Sequence, residues 1–564
     1  MMKSRYPNRR LWRIGSLLFI VALIAPSIIW SKPDDPTRVL TKRLPVKPSI
    51  PSADRKQSGK VFLERADRLY MDEKVSTEYQ VVVGDVLFRK EGMFMYCDSA
   101  HFYENAGSFD AFGNVKMQQG DTLFVYADEL IYDGDSEFAT FYGDNGKKVK
   151  LINNEVTLET YVFYYDVAAN LGFYDNHGTI TDAENQLISI YGEYSPDTKE
   201  AEFRENVLLQ DLKKEDFRMT TDLLRYNTET HMARIVSPTV IETDSGTVYS
   251  SNGWYDTESE KSELYDRSLV VTNGGSTLTG DTIYFDHLAG LGEVWGDMVL
   301  TDSVRQTTLE GGYGIYYQDK DSAYATDRAR ILEYSKGDTL YLHGDTIRAY
   351  MLMEDTTRIM TAFPRVRFWR VDMQGLCDSL VFLERDSTLS MYRHPIVWSD
   401  QRQIFGNVID VHFNDSTADW AKLPDFGFMA EHVDEEFYNQ ISGKEMLATF
   451  EDGNLRQLDV SGNVEVISLP QENDSTYNKI VNSESSFLKA LFLDNKLERM
   501  MMWPEVTGKV TPLYLAKKNI FYLSAFQWYE PLRPKDKDDI FNVPPEMEAL
   551  FKEPDNSTRR RLTH

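Results

Sequence analysis

The sequence predicts an all-β protein, an elongated stack of about fourteen two-strand repeats of roughly 31 residues, of β-jellyroll or β-solenoid type. Three observations predict it. First, a pattern of small, Asp, x, apolar, x, aromatic recurs, as in Ala127-Asp128-Glu129-Leu130-Ile131-Tyr132, in Gly280 to Phe285 and in Cys377 to Phe382. Its last position falls at Met71, Phe102, Tyr132, Tyr165, Tyr194, Tyr226, Tyr255, Phe285, Tyr317, Ala349, Phe382, Phe413, Ala448 and Ala490. Second, a Gly-Asp/Asn-Val pattern interleaves with it, as in Gly113-Asn114-Val115. Third, the flanks of both alternate apolar and polar residues and favour β-branched and aromatic types, while helical periodicity is almost absent.

Taken in chain order, residues 1–13 carry Lys3, Arg5, Arg9, Arg10 and Arg13 and no acid, and Ile14 to Trp30 is apolar apart from Gly15, Ser16, Pro26 and Ser27. Residues 1–31 read as a signal peptide or N-terminal membrane anchor. The apolar run sits at the bottom of the length that spans ~30 Å of hydrocarbon, and Ala25-Pro26-Ser27 offers a small-x-small cleavage site, which favours removal. Residues 32–60, with five prolines from Pro33 to Pro51, read as an extended linker. Residues 61–425 carry the regular repeats and 426–530 more divergent ones. Residues 531–564, with Pro531, Pro544-Pro545 and Arg559-Arg560-Arg561, read as a tail or docking segment.

Within a repeat, Val125 and Ala127 keep period two and Leu130 and Tyr132 keep it again, but Ala127 to Leu130 is a step of three. A bulge or corner there lets all four face one core. The aspartates next to that step, Asp67, Asp98, Asp128, Asp222, Asp281, Asp345 and Asp378, are read as structural corner residues whose carboxylates accept backbone N–H groups freed by the broken ladder. The small residue at the first position of each copy, such as Cys97, Ala127 or Cys377 before an Asp and Thr160 or Gly312 in copies without one, lets two sheets approach. In the second pattern glycine bends the chain at Gly84, Gly113, Gly296 and Gly462, and proline takes that part at Pro238, Pro364, Pro395 and Pro504. Each strand then runs through one sheet, bends and enters the other. At ~4.8 Å per strand the repeats would stack to on the order of 130 Å. Strand direction stays open between an antiparallel jellyroll and a parallel β-helix.

Composition limits the function. With 61 Lys+Arg against 89 Asp+Glu the formal charge is −28, the wrong sign for a nucleic-acid binder. Two cysteines, Cys97 and Cys377, nine repeats apart, read as buried small hydrophobes and exclude a disulfide scaffold or a Cys-rich zinc domain. The nine histidines form no HExxH or i, i+4 pair, and Gly-x-Ser-x-Gly and GxxxxGK[ST] are both absent, so no catalytic residue, metal site or cofactor is expected. A carboxylate row for calcium or sugar chemistry is the weaker reading of the Asp column, because half the copies lack it.

The units Ala66 to Met71 with Gly84-Asp85-Val86, and Cys97-Asp98 to Phe102 with Gly113-Asn114-Val115, resemble the OstA/LptA family. The segments Tyr438 to Lys444, Asp459 to Val464 and Phe521 to Phe541 are similar to its long OstA-like members. The resemblance implies an open β-jellyroll that binds lipopolysaccharide through its lipid A acyl chains and stacks end to end with other envelope transport proteins by strand pairing, in the periplasm or associated with either membrane. It also turns the inward columns into a lipid groove, with Val125, Leu130, Tyr132, Leu224, Tyr226, Leu278, Ile283, Phe285, Ile315 and Tyr317 as candidate lining. Acyl tails held at about 0.8 kcal/mol per buried CH₂ could then slide between equivalent rungs. The alternative is a structural β-rod that recruits envelope partners by edge-strand pairing and carries no lipid.

Overall fold

The computed structural model describes residues 60–552 except 72–77, 91, 145, 155, 184, 213–216, 244–245, 257–258, 260, 287, 318–321, 336, 353–356, 415–416, 435, 452, 473–475 and 494–495. The expected export segment 1–31, the linker up to residue 59 and the basic end of the expected tail, 553–564, lie outside the described residues. The chain is 67% strand and 4% helix. The described pairings are antiparallel, which selects the jellyroll over the parallel β-helix.

Two compact units divide the chain: residues 60–273 with 282–289, and residues 274–281 with 290–552. In the N-terminal unit the three pairings between the successive strands Gln80–Lys90, Met93–Tyr103, Ser108–Gln119 and Leu123–Asp133 each shift register once, between Val83 and Val86, Tyr96 and Ser99, and Phe112 and Val115. Further on the shift becomes a break, as between Val156–Thr160 and Val162–Asp166. The halves pair separately across this crease. One set, which includes residues 86–90, 93–97 and Val156–Thr160, is termed sheet A; the other, with residues 80–83, 99–103 and Val162–Asp166, is sheet B. Their facing sides are apolar, and Val82, Phe88, Phe109, Val125, Leu130 and Phe141 are fully buried between them.

The crease has a repeated backbone cause. Pairs of consecutive residues with positive φ stand at Gly84-Asp85, Gly113-Asn114, Glu205-Asn206 and Asp266-Arg267 in this unit, and at Gly296-Asp297, Asp327-Arg328, Arg393-His394 and Gly462-Asn463 in the C-terminal unit. Left-handed conformation costs a non-glycine residue roughly 1–2 kcal/mol, less for Asn and Asp, and the pair stands opposite a single residue of the next strand, one extra residue as in a bulge. The two sequence patterns meet here. An added Cβ on Gly113 would lie 2.6 Å from Asp98 Oδ2, and Gly84 and Gly296 sit equally tightly under Asp67 and Asp281.

The corner aspartates act differently from expectation. Their own backbone N–H groups bridge the crease: Asp67 to the Gly84 carbonyl at 2.9 Å, Asp281 to Gly296 at 2.8 Å and Asp345 to Pro364 at 3.1 Å. The Asp128 carboxylate does accept a backbone N–H, from Asp144 at 2.9 Å. Asp98 instead takes the Asn114 amide at 2.8 Å, and Asp345 and Asp378 take the guanidinium groups of Arg365 and Arg393. Asp222 is exposed. Two further expectations are corrected. Pro364 and Pro504 precede left-handed Arg365 and Glu505, but Pro395 follows the left-handed pair instead of forming it. In the Gly311-Gly312 copy it is the Gly312 N–H that bridges the crease, to Asp327 O at 2.7 Å, so Gly311 is the small residue. A one-residue slip reverses every side chain, so Ile315 and Tyr317 face outward, and Gly314 and buried Tyr316 face inward with Val294 and Ala323.

In the C-terminal unit the last strand is Thr507–Pro512. Residues 513–552, expected as the last of the repeats and then a tail, are a strap laid over the outer face of this unit's own strands Val366–Arg370, Met373–Cys377, Ile396–Ser399, Arg402–Gly406 and Phe437–Gly443. Its turns and its one helix, Pro545–Lys552, bury Leu532, Met547 and Phe551 against Leu376, Ile396 and Trp398. Buried amides hold its backbone. Gln440 donates to Phe521 O at 2.8 Å and accepts from Leu523 N–H at 2.9 Å; Gln403 repeats the clamp on Gln527 and Tyr529 at 2.9 and 2.7 Å. Arg367, 1% exposed, donates to the carbonyls of Leu532, Asp539 and Asn542. Cys97 and Cys377 are buried free thiols at crease positions, and burial pushes Cys97 up to about 12.

Candidate functional site: an apolar chamber between the sheets

Between the inner faces of the N-terminal unit lies a cavity of about 1470 Å³, lined by residues from Met117 to Leu264. It exceeds the roughly 300–1,000 Å³ of an ordinary small-molecule pocket. One wall is an aliphatic row along sheet A, where register places Leu151, Leu158, Ile180, Leu187, Leu209, Met219 and Ile241 side by side. The other wall is a comb. Cross-strand neighbours near the edge of sheet B run Tyr165, Gly172, Tyr194, Ala201, Tyr226, Ala233, Tyr255, Ser262, so a ring and a small residue alternate. Strands lie ~4.8 Å apart, so the rings stand about 10 Å apart and leave slots over Ala201, Ala233 and Ser262, while the Phe163 ring lies over Gly172. Towards the N-terminus the same row runs through Ala139 to Tyr132, Phe109 and Phe102, and these last three rings are direct neighbours with no small residue between them.

The free edges of the two sheets form lips. On sheet A the lip is polar, with Asn153, Asp182, Asn185, Asp211 and Thr243 lining the cavity; on sheet B it carries Pro196, Lys199, Thr228 and Glu229. The tyrosine hydroxyls reach lip groups. Tyr165 donates to Asn170 Oδ1 at 2.7 Å and to Gln119 Oε1 at 3.2 Å, and Tyr226 lies 3.4 Å from His231 Nδ1. Burial, partly offset by the Gln119 bond, keeps the Tyr165 phenol above its usual range, and burial pushes Tyr174, deep in the wall, up to about 12. Both stay neutral donors at neutral pH.

Beyond the cavity the lips are tied. Lys90, 2% exposed, reaches across from sheet A to the Tyr132 hydroxyl at 2.7 Å and to Glu137 Oε1 at 3.0 Å. Burial alone would lower the Lys90 pKa, but the bonds with Tyr132 and Glu137 outweigh it and raise it, so the ammonium persists.

Of the ten residues the sequence nominates, Leu224 and Tyr226 line the cavity. Val125, Leu130 and Tyr132 face inward in the closed aromatic core. Leu278, Ile283 and Phe285 are buried inward-facing residues, and Ile315 and Tyr317 face the other way. The small residues Gly172, Ala201, Ala233 and Ser262 were missed. Their signal is the regular alternation of aromatic and small residues between the two strands of successive repeats. Among the described residues no group of three or more His, Cys, Asp or Glu side chains could hold a metal ion.

Two antiparallel half-sheets folded about a crease, with an apolar interior and free lips, define an open β-jellyroll. Residues 58–222 match the family model described as OstA-like protein. Among solved structures the chain is similar to LptH, the LptA homologous periplasmic component of the lipopolysaccharide transport device of Pseudomonas aeruginosa. That similarity has 17% identity, covers 19% of this chain and 74% of that one, and has a TM-score of 0.17. No curated protein matches the chain.

Proposed function

We propose that the protein is an envelope lipid-binding scaffold that shelters the acyl chains of a lipopolysaccharide-type lipid between its two sheets on the way to the outer membrane. The observation that carries this reading is the comb-walled cavity, which overlaps the OstA-like stretch. An aliphatic wall facing slots between rings suits flexible methylene chains, each buried CH₂ contributing about 0.8 kcal/mol, and the polar lips leave a headgroup in water. Periplasmic location follows from the same reading, with residues 1–31 as the export segment. Uncovered edges fit partners that add a strand: Leu69 and Tyr70 at one end of the chain, and Val506 and Val510 at the other, are half-exposed or more.

The test is native mass spectrometry of the full chain purified from the envelope, followed by lipid extraction. Wild type should carry acylated lipid. Ala201→Trp and Ala233→Trp, which fill two slots, should lower the load at least tenfold while the fold survives. A protein that emerges empty and stays empty with added lipid would leave the edge strands as the functional surface, and the chain as a structural rod.

A further inference from the structure

We infer that Ser262 is a specificity-determining residue of the chamber, and that it selects an acyl chain bearing a hydroxyl on one of the carbons next to the headgroup. This rests on the acyl-binding reading above. Three small positions of the comb, Gly172, Ala201 and Ala233, carry no polar side-chain atom, so the row asks for small size and nothing more. The fourth is Ser262, which lines the chamber between its cross-strand neighbours Tyr255 and Phe285. It is 3% exposed, and its hydroxyl is buried with no hydrogen-bond partner. Other hydroxyls of the lining have theirs: Tyr165 on Asn170 at 2.7 Å, Tyr174 with Ser189 at 2.6 Å, and Thr243 on the Gly246 carbonyl at 3.1 Å. Alanine would fill the Ser262 position without burying an unpaired hydroxyl, which is a net cost to the fold. A ligand oxygen in this slot removes that cost, and a chain without one leaves it standing.

Register sets where along the chain that oxygen lies. The strands Gly253–Asp256 and Lys261–Leu264 form a hairpin that turns at the lip after the pair Asp256–Lys261. Ser262 is the next residue inward, roughly 3 Å along the strand. Leu264, 2% exposed, continues the lining towards the crease. An acyl chain whose headgroup rests outside the lip therefore passes Ser262 within its first few carbons and runs on over apolar atoms. A hydroxyl at that level both donates and accepts, as the Ser262 hydroxyl does; one at the methyl end lies beyond its reach.

Calorimetric titration of the purified full chain, wild type and Ser262→Ala, with dodecanoic, 3-hydroxydodecanoic and 12-hydroxydodecanoic acids below their micellar concentrations tests this. The affinity of the 3-hydroxy acid relative to the plain acid should be about fivefold or more higher in wild type than in the variant, the effect of one net hydrogen bond. For the 12-hydroxy acid the same ratio should not differ between the two proteins. If Ser262→Ala leaves the 3-hydroxy ratio unchanged while the plain acid still binds, the selection is overturned and the acyl reading stands; a common weakening of all three acids would mean that Ser262 holds the carboxyl group they share. An equal gain for the 12-hydroxy acid would also overturn it, because no position along the chain is then read. If none of the three acids binds wild type, the acyl reading falls and the selection with it. The empty variant should be at least as stable to urea as empty wild type, and a loss of stability would show the hydroxyl already engaged within the protein and sink the inference.

Discussion

A glycine at the crease answers two demands at once, and substitution can separate them. Gly113 has φ +74° and lies under the Asp98 carboxylate, whereas Gly120 has φ +61° and open space where a Cβ would go. Gly120→Ala should therefore cost only the left-handed penalty, about 1–2 kcal/mol. Gly113→Ala should cost more, because Asp98 must also move and give up its bond from the Asn114 amide. Urea denaturation of both variants measures the difference, and equal losses would mean that the Asp–Gly contact contributes nothing. Glycine also explains why this part of the fold was legible in the sequence. Where Gly-Asn or Gly-Asp marks the bend, the position is visible; where Asp266-Arg267 or Asp327-Arg328 adopts the same conformation, nothing in the residue types announces it. Gly311-Gly312 offered two candidates for one small position, and only the bond from Gly312 to Asp327 decides between them.

The strap is an element of another kind, because it has no periodicity. Residues 513–552 make turns whose backbone is satisfied by side chains far away in sequence, so the amides of Gln403 and Gln440 look like ordinary outward polar residues of a strand until the partner is seen. That is why the sequence suggested divergent repeats and a tail. Near its end the strap lays Phe541 against His343, ring centroids 4.8 Å apart, and His343 Nδ1 lies 2.7 Å from the Ala329 carbonyl. Burial, first of its causes, holds the His343 pKa below the ordinary 6.5, with Arg328 and Arg367 adding to the effect and the Ala329 bond and Asp345 opposing it. A folded-state pKa below the unfolded one gives stability that is present above about pH 6.5 and lost as pH falls through the folded value. Asp539 is a second, lower step. Burial raises its carboxyl, but bonds from Asn542, the Lys535 N–H and Arg367 outweigh that and hold it below 3.8, so its contribution is lost only as pH falls further. Hydrogen-exchange protection of residues 538–542, taken relative to the unfolded chain at each pH, should therefore fall in two stages on acidification, and His343→Leu should remove the first. A single transition in wild type, or an unchanged first stage in the variant, would exclude His343 as its origin.

Charge acts at the scale of the whole molecule. The chain carries −28, and the ionisable residues lining the chamber are Lys199 against Asp182, Glu193, Asp211 and Glu229, which gives 1 − 4 = −3. A lipid with anionic phosphates meets repulsion from both, while burial of its acyl chains is indifferent to salt to first order. Exposed charges are screened over about 10 Å at 0.1 M ionic strength and about 3 Å at 1 M. Loading of an anionic acylated lipid should therefore strengthen as monovalent salt rises from 0.01 to 0.3 M, and divalent cations should strengthen it further at equal ionic strength by neutralising phosphate directly. A zwitterionic lipid with the same acyl chains should bind with little dependence on salt. The slope reads the sign of the headgroup contact. If affinity for the anionic lipid falls as salt rises, cationic side chains are gripping the headgroup, and the acidic lips are not where it rests. If both lipids respond alike, the headgroup stays beyond the reach of the protein's field and the acyl chains alone determine binding.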